Sequence, residues 1–230
     1  MKTLVDREDL IFNPPQPGCI FYVPGLPGGA SKIYDRSPYG NNGTIMGATW
    51  VRLPSGLWYL SFDGQDDYVD CGMSDALNFT SEDFTIKAWI KCDNFAVENA
   101  IFQKGAWISE GYFFQVTTSR RLDFYTIQAG PARQRTFGDQ NVQANTWHHC
   151  VASRSGVSVK LYLDTGEDIK TAGTHLDPDP TDQPARIGLR DDGGNDMAGC
   201  IALLEVWNRA WTTLDVEKSF DREKHLFGVW

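Results

Sequence analysis

Acidic side chains crowd three short stretches of this chain. Asp63, Asp66 and Asp67 share the turn Asp63-Gly64-Gln65-Asp66-Asp67, Asp35 stands close to Asn41 and Asn42, and Asp191-Asp192-Gly193-Gly194-Asn195-Asp196 forms a third cluster. Hard cations take several oxygens from carboxylates and loop carbonyls. Calcium is therefore the metal these turns could hold, with Asp35, Asp63, Asp66 and Asp67 as candidate ligands. Asp-Gly pairs also favour turns on backbone geometry alone, and both readings stand at this level. Sugars ask instead for exposed aromatic platforms beside polar groups, and Trp89, Trp107, Tyr125 and Trp58 are the candidates. Trp89 alternates with Lys87 and Lys91, which is the kind of face a saccharide meets. An aromatic ring on the outside of a large sandwich can equally pack beneath a loop.

Nucleophilic chemistry has less to stand on. Glu205 is alone among Leu204, Val206 and Trp207, and no Gly-x-Ser-x-Gly elbow occurs. Neighbours in a strand point to opposite faces, so His148 and His149 cannot readily share one ion; one packed and one exposed ring are expected. The expectation is a protein that is not an enzyme.

The surroundings of these residues limit the partners. The formal net charge of −9 argues against sequence-independent nucleic-acid binding, which needs a basic surface, and against anionic membranes. Cys19, Cys71, Cys92, Cys150 and Cys200 are odd in number and contain no CxxC pair; buried reduced thiols acting as small hydrophobes are expected. Charges in the first twelve residues interrupt what would be a signal-peptide core. No apolar run approaches the ~18 residues of a membrane span. Asn42-Gly43-Thr44 and Asn78-Phe79-Thr80 match the glycosylation sequon; without a secretory signal they are read as chance.

The elements that must position the candidates are mostly strands. With 230 residues, of which 41% are hydrophobic, the chain can fill one large sandwich. Residues 1–17 are charged and then Pro-rich, an extended arm. In 84–92, Phe84, Ile86, Ala88, Ile90 and Cys92 share one face, and Thr85, Lys87, Trp89 and Lys91 share the other. In 157–164, Val157, Val159, Leu161 and Leu163 are expected to face inward, with Ser155-Gly156 as a two-residue hairpin turn from the preceding strand. Another hairpin crosses 118–120. Thr212 with Asp215 three residues on reads as a capping box for one helix, with Leu214, Val216 and Phe220 on its apolar side. Short strands at regular spacing indicate a sandwich or jelly roll.

Three segments in order carry a resemblance: Asp35-Arg36-Ser37-Pro38-Tyr39-Gly40-Asn41-Asn42-Gly43-Thr44, leading to Trp50; Leu60-Ser61-Phe62-Asp63 through Tyr68-Val69-Asp70-Cys71-Gly72, leading to 84–91; and Asn145-Thr146-Trp147-His148-His149, followed by 160–164 and then 199–210. Together they resemble the laminin-G-like members of the concanavalin A-like lectin/glucanase superfamily over roughly 18–220. The resemblance implies an all-β, two-sheet antiparallel jelly roll, to which the capped stretch adds one short C-terminal helix, and mostly non-catalytic roles. The Glu-x-Asp-x-x-Glu run of the superfamily's glucanases is absent. The chain is also similar to stand-alone tailed-phage structural proteins. That similarity implies a virion structural or capsid-decorating protein, made in the host cytoplasm and oligomeric. Its protein contacts would run through the arm (Pro14, Pro15) and an apolar 221–230 tail (Phe227, Trp230), a tail that wants cover from its own domain or from a neighbour. The alternative is a lectin-like module that binds glycan outside the cell or at its surface.

Overall fold

The computed structural model describes residues 17–129 and 133–229. Two antiparallel sheets of eight strands each face one another. Sheet 1 runs β14 (Gly166–Glu167), β13 (Ser158–Leu163), β12 (His148–Ser155), β7 (Phe84–Cys92), β16 (Ala198–Trp207), β5 (Trp58–Asp63) and β4 (Thr49–Arg52), with β1 (Cys19–Tyr22) also paired to β16. Sheet 2 runs β11 (Gln134–Phe137), β10 (Leu122–Ile127), β9 (Glu110–Val116), β8 (Asn99–Ala106), β15 (Ala185–Ile187), β6 (Tyr68–Asp70), β3 (Gly43–Met46) and β2 (Lys32–Ile33). The all-β jelly-roll expectation is met, with one α-helix among the described residues, α1 (Thr213–Glu223).

The alternation in β7 decides where the core lies. Phe84, Ile86, Ala88, Ile90 and Cys92 meet Tyr112, Phe114 and Val116 of β9 and Leu122 and Phe124 of β10 between the sheets. Phe79 stacks on Phe84 with centroids 4.4 Å apart, and the Tyr112 hydroxyl donates to the Leu77 carbonyl at 2.9 Å. All five cysteines are buried and free. Burial raises their thiols, Cys200 to about 11, so they act as small hydrophobes.

The other face of β7 is covered too. At Thr212 the capping box forms as expected, each partner bonding the other's backbone N–H, an arrangement worth about 1 kcal/mol. Burial would raise the Asp215 carboxyl, but the Arg209 guanidinium and the Thr212 N–H hold it at about 2. The helix lies against sheet 1 with Val216 and Phe220 inward as expected, but its packed side is more polar and leaves out Leu214. Leu214 is exposed and Phe220 half-buried, whereas Val216, Ser219 and Glu223 are buried.

The polar pair has partners on sheet 1. Glu223 lies 2.6 Å from the Lys87 ammonium and accepts from the Trp89 indole N–H at 2.8 Å. Ser219 Oγ lies 3.1 Å from His149 Nε2. Lys87 also reaches Glu205 at 3.1 Å, and Glu205 accepts from the Trp207 indole at 2.8 Å.

A bulge makes the Glu205 contact available. Between Ala202 and Glu205 one extra residue enters β16, with Leu203 at φ 45°. Left-handed backbone costs a non-glycine residue on the order of 1 kcal/mol. The insertion shifts the alternation so that Leu204 and Val206 face the core and Glu205 faces outward over Lys87.

Two local expectations are corrected, and at Phe227 one of two alternatives holds. Ser155 pairs with Ser158, so Gly156 and Val157 form the hairpin turn, and Val157 is exposed rather than inward. His148 and His149 are both buried, because the helix covers the side that would otherwise leave one ring in water. Phe227 stacks on Trp89 at 4.2 Å, so the chain's own sheet covers that part of the tail. Pro14, Pro15 and Trp230 lie outside the described residues.

Candidate functional site

No helix covers the outer face of sheet 2 among the described residues. Directly opposed residues of antiparallel strands share a face, so the registers define one row across the whole sheet. From edge to edge it reads Lys32, Thr44, Asp70, Arg186, Gln103, Phe113, Tyr125 and Arg135. Such a row has no signature in sequence, because its members come from eight strands and neighbours in it lie up to 116 positions apart in the chain.

The 106–110 hairpin tip brings Trp107 over this row. A Cβ at Gly111 would overlap the Lys104 carbonyl, and one at Gly105 the Glu110 carbonyl. Glycine at both positions lets β8 and β9 approach closely before the turn. Trp107 then sits edge-on to Phe113 (5.4 Å) and Tyr125 (4.9 Å). Its backbone N–H donates to Asp191 at 2.9 Å, and Gln103 bonds Asp191 in both directions, at 2.7 and 2.8 Å. The third acidic loop is therefore a brace for this wall. Asp192 pairs with Arg190 at 2.7 Å, and Asn195 donates to Glu98 (2.6 Å) and Gln115 (2.8 Å).

Guanidinium groups complete the wall. Arg133 and Arg190 lie 4.3 and 4.6 Å from the Trp107 ring centroid, within cation–π range. Arg135 grips the buried Asp123 carboxylate with two bonds of 2.7 and 2.8 Å. Burial raises the Asp123 carboxyl despite that grip. Trp107 and Tyr125, two of the four aromatic candidates, thus stand together as part of a cation-bearing wall rather than as bare platforms.

The other two lie elsewhere. Trp89 is fully buried beneath Phe220 and Phe227; the expectation of a sugar platform there is corrected, because the helix supplies the cover. Trp58 lines a shallow cleft with Trp50, Val23 and Pro24, at the side of sheet 1.

The acidic residues also divide. Asp63, Asp66 and Asp67 each bring a carboxylate oxygen within 4.8 Å of the others'. Asp67 accepts from the Asp63 N–H at 2.9 Å, and its carboxyl is raised chiefly by burial. Asp196, from the third acidic loop, belongs electrostatically with this group. Burial, then the charges of Asp66 and Asp63, raise it, and its buried Oδ1 has no partner. Asp35 does not join them. Its oxygens accept from Tyr22 N (2.8 Å), Ser37 N (2.8 Å), Ser37 Oγ (2.7 Å) and Asn41 N (2.8 Å). The expectation of a ligand at Asp35 is corrected to a turn brace, since those donors occupy it. The three oxygen donors at Asp63, Asp66 and Asp67 fit a hard cation such as calcium by chemical type.

The fold recurs in known structures. The binding domain of Paraclostridial Mosquitocidal Protein 1 matches with a TM-score of 0.73 at 15% identity, over 92% of this chain and 55% of that one. The botulinum neurotoxin serotype G binding domain matches at 0.69 and 13%, over 89% and 51%. Trypanosoma rangeli sialidase matches at 0.68 and 13%, over 93% and 34%. This chain thus spans about half, or a third, of the length of these proteins. A search of curated proteins found no match. A family model described as the concanavalin A-like lectin/glucanases superfamily, laminin-G type, matches residues 63–217, and the chain belongs to that family.

Proposed function

We propose that this protein is a non-catalytic carbohydrate-binding module whose ligand face is the outer face of sheet 2. The observation that carries the reading is the Trp107–Tyr125 wall, held by Gln103 and Asp191 and bordered by polar groups. A preorganised aromatic wall with convergent polar side chains is the general form of a small-ligand site. The structural neighbours, which include toxin binding domains and a sialidase, support a lectin-like module. Against catalysis, Glu205 is bound to Lys87 and Trp207, and Asp123 to Arg135, so neither is poised for proton transfer. Such a module acts where glycans are displayed, outside the cell or on a virion that meets a cell surface. The other expectation, a virion structural or decorating role, gains nothing from Phe227, which packs within the chain.

The test is a glycan array probed with the purified protein and with Trp107→Ala. Saturable binding that falls at least about tenfold in the variant is expected; binding indifferent to Trp107 removes the assignment of this face. A second reading concerns calcium. The clustered oxygens of Asp63, Asp66 and Asp67, to which Asp196 is electrostatically coupled, support a cation at the acidic turn. Calcium at about a hundred times its Kd should add about 2.7 kcal/mol of stability, read as a rise in Tm that a chelator reverses and Asp66→Asn abolishes. An unchanged Tm across millimolar calcium defeats it.

A further inference from the structure

In the row across sheet 2, Arg186 is the outward residue of β15, between Asp70 of β6 and Gln103 of β8. Its flanking residues, Ala185 and Ile187, point into the core. The strand therefore projects the guanidinium onto the same face as the aromatic wall. Arg186 Nη1 is buried and has no hydrogen-bond partner. No carboxylate among the described residues comes within ion-pair distance of it, although the chain carries 30 Asp and Glu. The two registered neighbours do not satisfy it. Asp70 accepts from the Gly72 N–H, and the Gln103 amide is committed to Asp191 and the Gly105 carbonyl. A buried donor left unmade costs free energy in the free protein, while Arg186 as a whole is only half-buried.

A second observation points the same way. Arg133, at the far side of the wall, is exposed, lies over Trp107 and makes no ion pair among the described residues. Among the described residues the face thus presents Lys32, Arg186 and Arg133 without carboxylate partners, the last two on either side of the aromatic wall, on a protein of net charge −9. Trp107 packs on Phe113, two strands from Arg186, or about 10 Å at the usual interstrand spacing of ~4.8 Å. That span exceeds one sugar ring.

We propose that the outer face of sheet 2 takes an acidic oligosaccharide, with a carboxylate or sulfate group bound by the Arg186 guanidinium and a neighbouring ring lying along the Trp107–Tyr125 wall beneath Arg133. This rests on the carbohydrate-binding reading above and names its ligand class. Guanidinium is the side chain that matches the paired oxygens of such groups. A guanidinium without a carboxylate partner favours an anion over a hydroxyl.

The test uses the full chain on matched panels of neutral, carboxylate-bearing and sulfate-bearing oligosaccharides, each also assayed against Arg186→Gln, Arg186→Lys and Trp107→Ala. The expected result is binding to one or both acidic panels, weakened about tenfold or more by Arg186→Gln, partly kept by Arg186→Lys, and falling as salt rises. An unchanged thermal midpoint in Arg186→Gln separates lost binding from lost fold. Binding to the neutral panel that needs Trp107 but ignores Arg186 overturns this inference and leaves the carbohydrate reading intact. Absence of binding to all three panels overturns both. Preference between the acidic panels distinguishes the planar carboxylate from the tetrahedral sulfate.

Discussion

On the outer face of sheet 1, Lys87 meets two carboxylates and Trp89 lies under Phe227. On the outer face of sheet 2, Arg186 meets none and Trp107 lies among guanidinium groups. Both faces carry a cation, an aromatic ring and acidic neighbours. The difference is the C-terminal helix. It brings Glu223 and Phe227 to sheet 1 and converts that surface into a second core, whereas sheet 2, among the described residues, receives the braced 106–110 tip and the 189–196 loop. A lone cation and aromatic therefore carry no functional meaning until their cover is known.

If sheet 1 is sealed for stability, its variants should unfold the protein while those of sheet 2 should not. The largest effect is expected for Lys87→Met, which strands Glu205 and Glu223 in the interior. Breaking one partner of a buried ion pair costs about 3–5 kcal/mol, which urea unfolding would read; a loss below 1 kcal/mol would falsify the sealed-face account.

Acid should work on sheet 1 through His149 and on sheet 2 through His175. His149 is held near 3 by burial and then by the Lys87 charge, and His175 near 4 by burial and then by Arg154. His175 lies between Thr126 Oγ1 and Thr136 Oγ1, at 2.9 Å from each. In the unfolded chain both titrate near 6.5. Between that value and their folded values the unfolded state binds protons that the native state does not, so stability falls with pH. The slope approaches about 1.4 kcal/mol per unit for each histidine. Glu223 has the opposite chemistry and the same sign. Burial raises it, but Lys87, Arg222 and His149 hold it at about 2, so its contribution is present above about 4.5 and lost as pH falls toward 2. Urea midpoints measured from pH 7.5 to 4.5 should decline from 6.5 downward and steepen at the acid end; a flat profile between 6.5 and 5 contradicts the assignment of neutral buried histidines.

The smallest effect belongs to sheet 2. Arg133→Gln changes an exposed side chain and should move stability by less than about 0.5 kcal/mol while weakening glycan binding. A large loss of stability there would mean that this face is also a sealed one.

Much of this architecture was legible. The period-2 run in 84–92 named the core face of β7 correctly, and Thr212 with Asp215 located the helix start. Both signals are local, carried by side-chain alternation and by a bond three residues long. The helix face was read in part: Val216 and Phe220 pack as expected, whereas Ser219 and Glu223 were missed because they are polar. What buries them is His149, Lys87 and Trp89, between 70 and 136 positions away. Asp35 looked like the other acidic turn residues, and only its four internal donors set it apart.

From the sequence alone follow the class of fold, the strand faces, the helix cap and the acidic turn, because each depends on spacing within a few residues. The tertiary structure alone decided which outer face is closed, that a bulge at Leu203 turns Glu205 toward Lys87, and that Arg186 stands without a partner in a row drawn from eight strands. Those outcomes depend on which distant groups meet across a sheet, and burial with or without a charge partner is a property of that meeting, not of the residue.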